Sequence, residues 1–255
     1  MNIKINGLHH DYDGIAVLSD INLDILDGQI LCVVGPSGCG KSTLLRLIGG
    51  LEQPTRGEIT QLGVPSTECL YPLTYVFQDF ALLPWRNVYG NISLALEDHK
   101  LPINKKHKII QDVLQRTRLD NYATALPKQL SGGMKQRVAI ARALAVSPAV
   151  LLMDEPLSAL DSQTRELLIE DFVNLWCRNP FTAVYVTHNL SEAVRLGHKV
   201  VVLSRRPGRI NETLNVDIPI DQRAPADTEL DAIQRHLWNI MHDEARAADS
   251  ELLDV

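Results

Sequence analysis

A glycine-rich run near the start of the chain has the residue types and spacing of a phosphate-binding loop. Residues 35–42 read Gly-Pro-Ser-Gly-Cys-Gly-Lys-Ser and fit the pattern G-x-x-x-x-G-K-[ST]. Glycines let successive backbone N–H groups converge on phosphate oxygens without obstruction by a Cβ atom. Lys41 has the reach to bind β- and γ-phosphate oxygens, and the Ser42 hydroxyl is a ligand for Mg²⁺. The alternative, a structural glycine-rich turn, is disfavoured because a predicted strand precedes the run and a predicted helix follows it.

Polar residues that follow two other apolar runs add to this chemistry. Asp154 and Glu155 come directly after the run at residues 149–153, and His188 follows the run at residues 182–186. Asp154 is placed to hold Mg²⁺ through its water shell, and Glu155 to orient or deprotonate a water that attacks a γ-phosphate. The His188 imidazole is suited to donate a hydrogen bond to that phosphate. An Asp-Glu pair or a lone histidine is more often structural, so both assignments depend on the phosphate loop.

A second anion site is indicated where Leu130-Ser-Gly-Gly-Met134 precedes a predicted helix. Ser131 is suited to cap the N-terminus of that helix, and the two glycines after it leave the amide end open. Both anion sites serve one nucleotide within a chain, or the second completes the site of a partner chain. The spacing leaves these two alternatives open.

Strands and helices that would position these residues follow from the hydrophobic pattern. Residues 1–30 alternate apolar and polar positions around turn signals, which is typical of antiparallel strands. Three strand-sized apolar runs, at residues 30–34, 149–153 and 182–186, predict buried strands of a parallel sheet. Polar residues stand at the carboxyl ends of these strands, where open α/β sheets bind ligands. The fold class is therefore α/β, with a mixed or parallel sheet and an N-terminal antiparallel β part.

Helical spacing at residues 109–114 and 134–145 predicts an inserted helical subdomain, and a helix is also predicted over residues 230–241. The predicted organisation has four parts: residues 1–86 form the N-terminal β part and the first half of the core, 87–147 the helical subdomain, 148–210 the second half of the core, and 211–255 a C-terminal tail of short strands and a helix.

Composition and charge exclude several classes of protein. With 45% hydrophobic and 22% charged residues the chain is not disordered. Its net charge is −6, so the chain lacks the excess of basic residues that is typical of a nucleic-acid binder. Four separated cysteines without a Cys-x-x-Cys pair indicate neither a zinc site nor a disulfide framework, and a reducing compartment is the simpler interpretation. No apolar stretch reaches the roughly 20 residues of a membrane span, and no signal peptide is apparent. The sequence thus predicts a soluble, cytoplasmic protein.

The ordered motifs resemble those of the ABC ATPases, over about residues 1–210. Six segments resemble, in chain order, the Walker A, Q-loop, signature, Walker B, D-loop and H-loop motifs of that family. They are residues 35–43, Gln78, residues 130–134, 150–155 and 158–161, and His188. The resemblance implies ATP and Mg²⁺ as cofactors and a P-loop NTPase core. It implies ATP contacts from Tyr12, Gly35, Pro36, Ser37, Gly38, Cys39, Gly40, Lys41, Ser42, Thr43 and Gln78, with Tyr12 stacked on adenine. It implies catalysis by Glu155 and His188, and Mg²⁺ binding by Ser42, Gln78 and Asp154.

Partners also follow from the resemblance. In that family two subunits meet head to tail, so Leu130, Ser131, Gly132, Gly133 and Met134 would act on the ATP of a partner chain, next to Asp161 of the D-loop. This implies a homodimer, multi-span permease subunits, an expected solute-binding protein, and a location on the inner face of the cell membrane. Met134 replaces the Gln of many relatives. Segments 77–85, 161–166 and 203–210 resemble importers of nitrate, alkanesulfonates and taurine, so a small anion or organosulfur compound is the expected solute.

Two other classes of ATPase compete with the importer. A soluble ABC ATPase that acts on nucleic acid or ribosomes is disfavoured, because the chain has one cassette and no sustained heptads between residues 43 and 130. An unrelated P-loop kinase would leave residues 130–134 and His188 unexplained. The apolar segment at residues 80–85 fits either ordinary subdomain core or part of a groove that receives a permease helix.

Overall fold

The computed structural model describes residues 1–224 and 227–253 of the chain. In chain order the strands are β1 (Asn2–Tyr12), β2 (Ile15–Ile25), β3 (Ile30–Val34), β4 (Arg56–Leu62), β5 (Leu73–Val76), β6 (Val150–Asp154), β7 (Thr182–Val186), β8 (Lys199–Leu203) and β9 (Ile210–Asn215). The helices are α1 (Lys41–Ile48), α2 (Val88–Leu94), α3 (Ile103–Arg116), α4 (Gly132–Leu144), α5 (Ser162–Arg178), α6 (Leu190–Leu196) and α7 (Thr228–Leu253). The chain divides into two compact units, Met1–Val64 with Pro180–Val255, and Pro65–Asn179.

An antiparallel sheet in the order β2-β1-β4 belongs to the first unit. Ile3 pairs with Ile25, and Ile5 pairs with Ile59 on the other side. Ile3 and Ile5 are buried while Asn2 and Lys4 are exposed, because successive side chains of a strand point to opposite faces. This alternation is the pattern that the first 30 residues predict.

The core of the first unit is built on β3, which runs parallel to β7 on one side and to β8 on the other. Every residue of β3 and β7 is buried, as expected for a parallel sheet covered on both faces. The strand β9 pairs antiparallel with β8 and alternates half-buried and exposed residues. Since β3 is central, the loop that follows it starts from a fixed point.

Helices dominate the second unit, where β5 and β6 form a parallel pair. The helix α4 packs against α2, α3, α5 and β5, and eight of its residues are buried. The start of α4 is therefore fixed within the second unit.

The α/β fold class is confirmed, and so are the three core strands, the antiparallel start of the chain and the helices at residues 109–114 and 134–145. The tail helix predicted over residues 230–241 lies within the longer α7. The four-part division at residues 1–86, 87–147, 148–210 and 211–255 stays a prediction, and residues 225, 226, 254 and 255 of its last part lie outside the described residues.

A buried arginine fastens the chain beyond β9 to the core of the first unit. The Arg223 guanidinium donates to the carbonyl oxygens of Val194, Gly197 and Val216 at 2.7–3.1 Å. Those carbonyls include the last ones of α6, which have no partner inside the helix. Nearby, His198 accepts a hydrogen bond at Nδ1 from the amide of Ile30, the first residue of β3.

Burial, and then the positive charge of Arg223, lower the pKa of His198 from 6.5 to about 4. The unfolded chain therefore binds a proton at a higher pH than the folded chain does. The stability that neutral His198 contributes is complete above pH 6.5 and is lost as the pH falls towards 4. We expect the free energy of unfolding to drop by about 1–2 kcal/mol between pH 7 and pH 5 from this residue.

Urea unfolding of wild type and His198→Asn at both pH values measures this effect. Asparagine keeps an acceptor oxygen for the Ile30 amide but does not titrate, so its drop in stability should be smaller. An equal drop in both proteins would contradict the assignment to His198.

Candidate functional site

The phosphate loop, residues 35–43, connects the buried strand β3 to α1. Gly40 occupies the N-cap position of α1 with φ of 103°, and within the described residues no side chain caps this helix. This φ is strained for any residue with a side chain, and a Cβ atom on Gly40 would also lie 2.8 Å from Cδ2 of Leu18, so glycine is strongly favoured here. An N-terminus without a capping oxygen leaves its first amides available for an anion.

Lys41 lies inside this loop rather than in solvent, with 7% of the residue exposed. Its ammonium donates to the carbonyl oxygens of Gly35 and Pro36, both at 2.9 Å. The charge of Lys41, the first residue of α1, is therefore held over the loop backbone. This arrangement suits the binding of phosphate oxygens.

Tyr12 lies at the end of β1 and is 39% exposed. Its hydroxyl accepts a hydrogen bond from Arg46 of α1 at 3.0 Å and donates to the carboxylate of Glu52. Arg46 also contacts Glu52 at 2.7 Å. Hydrogen bonding to Tyr12 is the largest cause that raises the pKa of Arg46. The structure thus ties the Tyr12 ring to the helix of the phosphate loop, and sequence analysis missed both Arg46 and Glu52.

His188 is exposed and lies two residues after the last residue of the buried strand β7. The residue before it, Thr187, donates its hydroxyl to Glu192 at 2.8 Å and accepts from the amide of Asn189 at 3.0 Å. Glu192, which is 2% exposed, also accepts from the Tyr185 hydroxyl at 2.9 Å. The buried Glu192 carboxylate therefore fixes Thr187 on one side of His188, and the Thr187 hydroxyl in turn holds the amide of Asn189 on the other side. Sequence analysis missed Glu192, because nothing in the local pattern distinguishes it from an exposed glutamate in a first helical turn.

In the second unit, Asp154 ends β6 and Glu155 follows with a φ of 44°. This left-handed conformation is unusual for a residue with a Cβ atom and is often found at functional sites. The Ser158 hydroxyl donates to the Glu155 carbonyl at 2.9 Å and accepts from the Gln78 side chain at 3.4 Å. The structure therefore brings Gln78 and the turn after β6 together through Ser158, which sequence analysis placed only within a motif.

Side-chain caps order the N-termini of α4 and α5 in the second unit. The Ser131 hydroxyl accepts from the amide of Met134 at 3.3 Å and caps α4, as the sequence predicts. Asp161 caps α5 by accepting from the amide of Thr164 at 2.9 Å, and this hydrogen bond lowers the pKa of Asp161. Leu130 is buried, whereas Ser131 and Gly132 are exposed.

The segment after Gln78 is held by side chains that the sequence does not single out. Arg142 of α4 donates to the carbonyl oxygens of Phe80 and Ala81 at 3.0 and 2.6 Å, and burial lowers the pKa of Arg142. Residues 77–87 are all half-buried or exposed, and Trp85 is 74% exposed. The segment is therefore anchored to α4 but is not part of the buried core.

Each unit contains a definite part of the predicted site. The first unit contains Tyr12, residues 35–43 and His188, and the second contains Gln78, residues 130–134, Asp154, Glu155 and Asp161. Individual roles stay predictions. A central parallel strand that enters a glycine-rich loop and an uncapped helix defines a P-loop nucleotide-binding protein of the α/β class.

Comparison with known proteins narrows this class. The family model described as ABC transporter matches residues 18–158. The nitrate import ATP-binding protein NrtD of Synechocystis sp. is 42% identical, over 88% of this chain and 86% of that protein. The taurine import ATP-binding protein TauB of Pseudomonas putida is 45% identical, over 79% of this chain and 77% of that protein. The dimeric structure of MJ0796, a bacterial ABC transporter cassette, is similar with a TM-score of 0.72 and 33% identity, over 84% of this chain and 98% of that chain.

The chain belongs to the ABC transporter family and is an ATP-binding ATPase. Among the residues that the structure describes, no helix combines the length and apolar character needed to cross a bilayer.

Proposed function

We propose that the chain is the ATP-hydrolysing subunit of an importer that takes up a small anion or sulfonate. The observation that carries this proposal is the similarity, along most of both chains, to subunits named for nitrate and taurine import. Nitrate is an oxyanion and taurine is a sulfonate, so an anionic oxygen-rich group is the shared chemistry. The relatives give no support to a soluble ABC ATPase that acts on nucleic acid or ribosomes.

ATP binding is assigned to residues of the first unit and to Gln78. The amides of residues 35–43 and the Lys41 ammonium bind the phosphates, and the Tyr12 ring stacks on adenine. The contacts between Lys41 and the loop carbonyls, and between Tyr12 and Arg46, support these roles. Base–aromatic stacking of this kind contributes about 1–3 kcal/mol.

Hydrolysis is assigned to Glu155 and His188. A water oxygen attacks the γ-phosphorus, Glu155 takes the water proton, and the bond to the bridging oxygen of ADP breaks. His188 donates a hydrogen bond to the γ-phosphate. The oxygen atoms of Ser42, Gln78 and Asp154 are donors of the kind that Mg²⁺ prefers, and bound Mg²⁺ neutralises phosphate charge.

Two chains act together in this proposal. The solved relative MJ0796 is dimeric, and Ser131 and Gly132 are exposed at the N-terminus of α4. We assign residues 130–134 and Asp161 to the ATP that is bound by the partner chain. The homodimer therefore has two ATP sites, each completed by the other subunit.

A permease is the third component, with a solute-binding protein on the other side of the membrane. Exposed aromatic rings of Tyr71, Phe77 and Trp85 precede or flank the segment that Arg142 anchors to α4. Large exposed apolar groups mark interaction surfaces, and we assign this segment to a cytoplasmic helix of the permease. The subunit is then peripheral on the inner face of the membrane. Its domain organisation follows the division into residues 1–86, 87–147, 148–210 and 211–255.

Substitution of Lys41 and of Glu155 separates binding from hydrolysis. Lys41→Ala should weaken ATP binding by tenfold or more, because a charge-assisted contact to phosphate is lost. Glu155→Gln should keep ATP affinity and lose at least a hundredfold in turnover, since the base is removed. Equilibrium binding and phosphate release measure the two effects. Wild-type turnover in Glu155→Gln would remove this residue from the mechanism.

Mixing two inactive variants tests the shared sites. A Lys41→Ala chain cannot bind ATP in its own loop, and a Ser131→Arg chain cannot act on the ATP of its partner. In a mixed dimer one site contains both defects and the other contains none. Mixing should therefore restore up to half of the wild-type activity per mixed dimer. No recovery, with mixed pairs confirmed by differential tags, would contradict the two-chain site.

Uptake by the host cell tests the proposed solute. Deletion of the gene should abolish uptake of labelled nitrate, taurine or an alkanesulfonate, and leave glucose uptake unchanged. The wild-type gene should restore uptake and Lys41→Ala should not. Normal uptake of all three anions in the deletion strain would overturn the solute class while leaving the ATPase assignment intact.

A further inference from the structure

The turn between β8 and β9, residues 204–209, lies directly against the phosphate loop; we call it the brace turn. A Cβ atom on Gly208 would stand 2.2 Å from the carbonyl oxygen of Cys39 in the loop. The Gly208 amide donates to Val17 at 2.8 Å, and its carbonyl accepts from the amide of Ser19 at 3.0 Å. The brace turn is thus hydrogen-bonded to β2 on one side and in backbone contact with the loop on the other.

One carboxylate from the C-terminal helix α7 holds both ends of the brace turn. An oxygen of Glu244 accepts from the backbone amide of Arg205 at 2.9 Å and lies 3.5 Å from its guanidinium. The other oxygen accepts from the side-chain amide of Asn211, just beyond the turn, at 3.1 Å. Only 16% of the Glu244 side chain is exposed. Charge-assisted hydrogen bonds of this kind are stronger than neutral ones, so Glu244 restricts the shape of the turn.

The electrostatics of Cys39 give a second sign that Glu244 is close to the phosphate loop. Burial of the thiol raises the pKa of Cys39, the positive charge of Lys41 opposes this rise, and the negative charge of Glu244 adds to it. The negative charge of Glu244 on α7 therefore influences the pKa of Cys39 in the phosphate loop.

We propose that Gly208 and Glu244 are positioning residues for the phosphate loop, so that α7 contributes to ATP affinity through the brace turn. Gly208 permits the close backbone approach to Cys39, and Glu244 fixes the turn that makes this approach. A loop held in its binding shape before ATP arrives loses less conformational freedom on binding. The inference rests on the proposed binding of phosphates by residues 35–43.

Two pairs of variants test the proposal, each with a control that disturbs the first unit elsewhere. Glu244→Ala should raise the Kd and the KM for ATP about three- to tenfold, with kcat at saturating ATP unchanged. Its control is His236→Ala, which removes the 2.8 Å contact between α7 and Glu212. That variant should keep the wild-type Kd, although both variants loosen the same helix.

Gly208→Ala should raise the Kd for ATP by tenfold or more, because its methyl group must displace the Cys39 carbonyl. Its control is Gly197→Ala, in which a Cβ atom would lie 2.7 Å from the carbonyl of Ala193 instead of meeting the phosphate loop. If Gly208→Ala does not fold, the Glu244 pair still decides the question.

The outcomes separate this inference from the proposed function. Normal ATP binding by Lys41→Ala would overturn the phosphate-loop assignment itself. If Lys41→Ala loses binding but Glu244→Ala binds as tightly as wild type or more tightly, the brace alone is wrong. An equal rise in Kd for Glu244→Ala and His236→Ala would also overturn it, because the effect would then be general loosening of α7.

Discussion

A phosphate loop needs several backbone amides that converge and yet remain unpaired, and this requirement governs the first unit. Elsewhere a helix N-terminus is satisfied by a side-chain oxygen, which contributes about 1 kcal/mol. At α1 the N-cap residue is Gly40, which has no side chain that could accept a hydrogen bond from the first amides of the helix. The shape of the loop must therefore come from packing, with Leu18 against Gly40 and the brace turn against Cys39. The fully buried β3 supplies the fixed starting point.

In the second unit α4 and α5 differ from α1, since both start at residues whose side chains cap the helix. Ser131 and Asp161 each hold one amide of the helix that follows. At α4 the cap satisfies one amide, Gly132 stays exposed, and Gly133 packs against Thr164. Segments between these helices are tied by polar contacts, such as those of Ser158 with Gln78 and of Arg142 with Ala81. A movement of Gln78 is therefore resisted at two points of the unit.

Local patterns in the sequence were sufficient for the fold class, the core strands and the phosphate loop. A run such as residues 30–34 followed by glycines defines a strand and a turn without knowledge of distant residues. The pattern could not reveal Glu192, Arg223 or Glu244: the importance of Glu192 comes from burial, and that of Arg223 and Glu244 from partners far along the chain. Arg223, for example, bonds to carbonyls 26 and 29 residues away. Gly208 looks like an ordinary turn glycine until the Cys39 carbonyl is seen beside it.

The central position of β3 has a consequence for how the protein is made. Its neighbours β7 and β8 are encoded about 150 residues or more downstream, and ribosomes add about 5–20 residues per second. For roughly 10–30 seconds the five apolar residues of β3 emerge without their native neighbours. The nascent chain therefore exposes the apolar segment of β3 early and completes the nucleotide-binding site that follows β3 late.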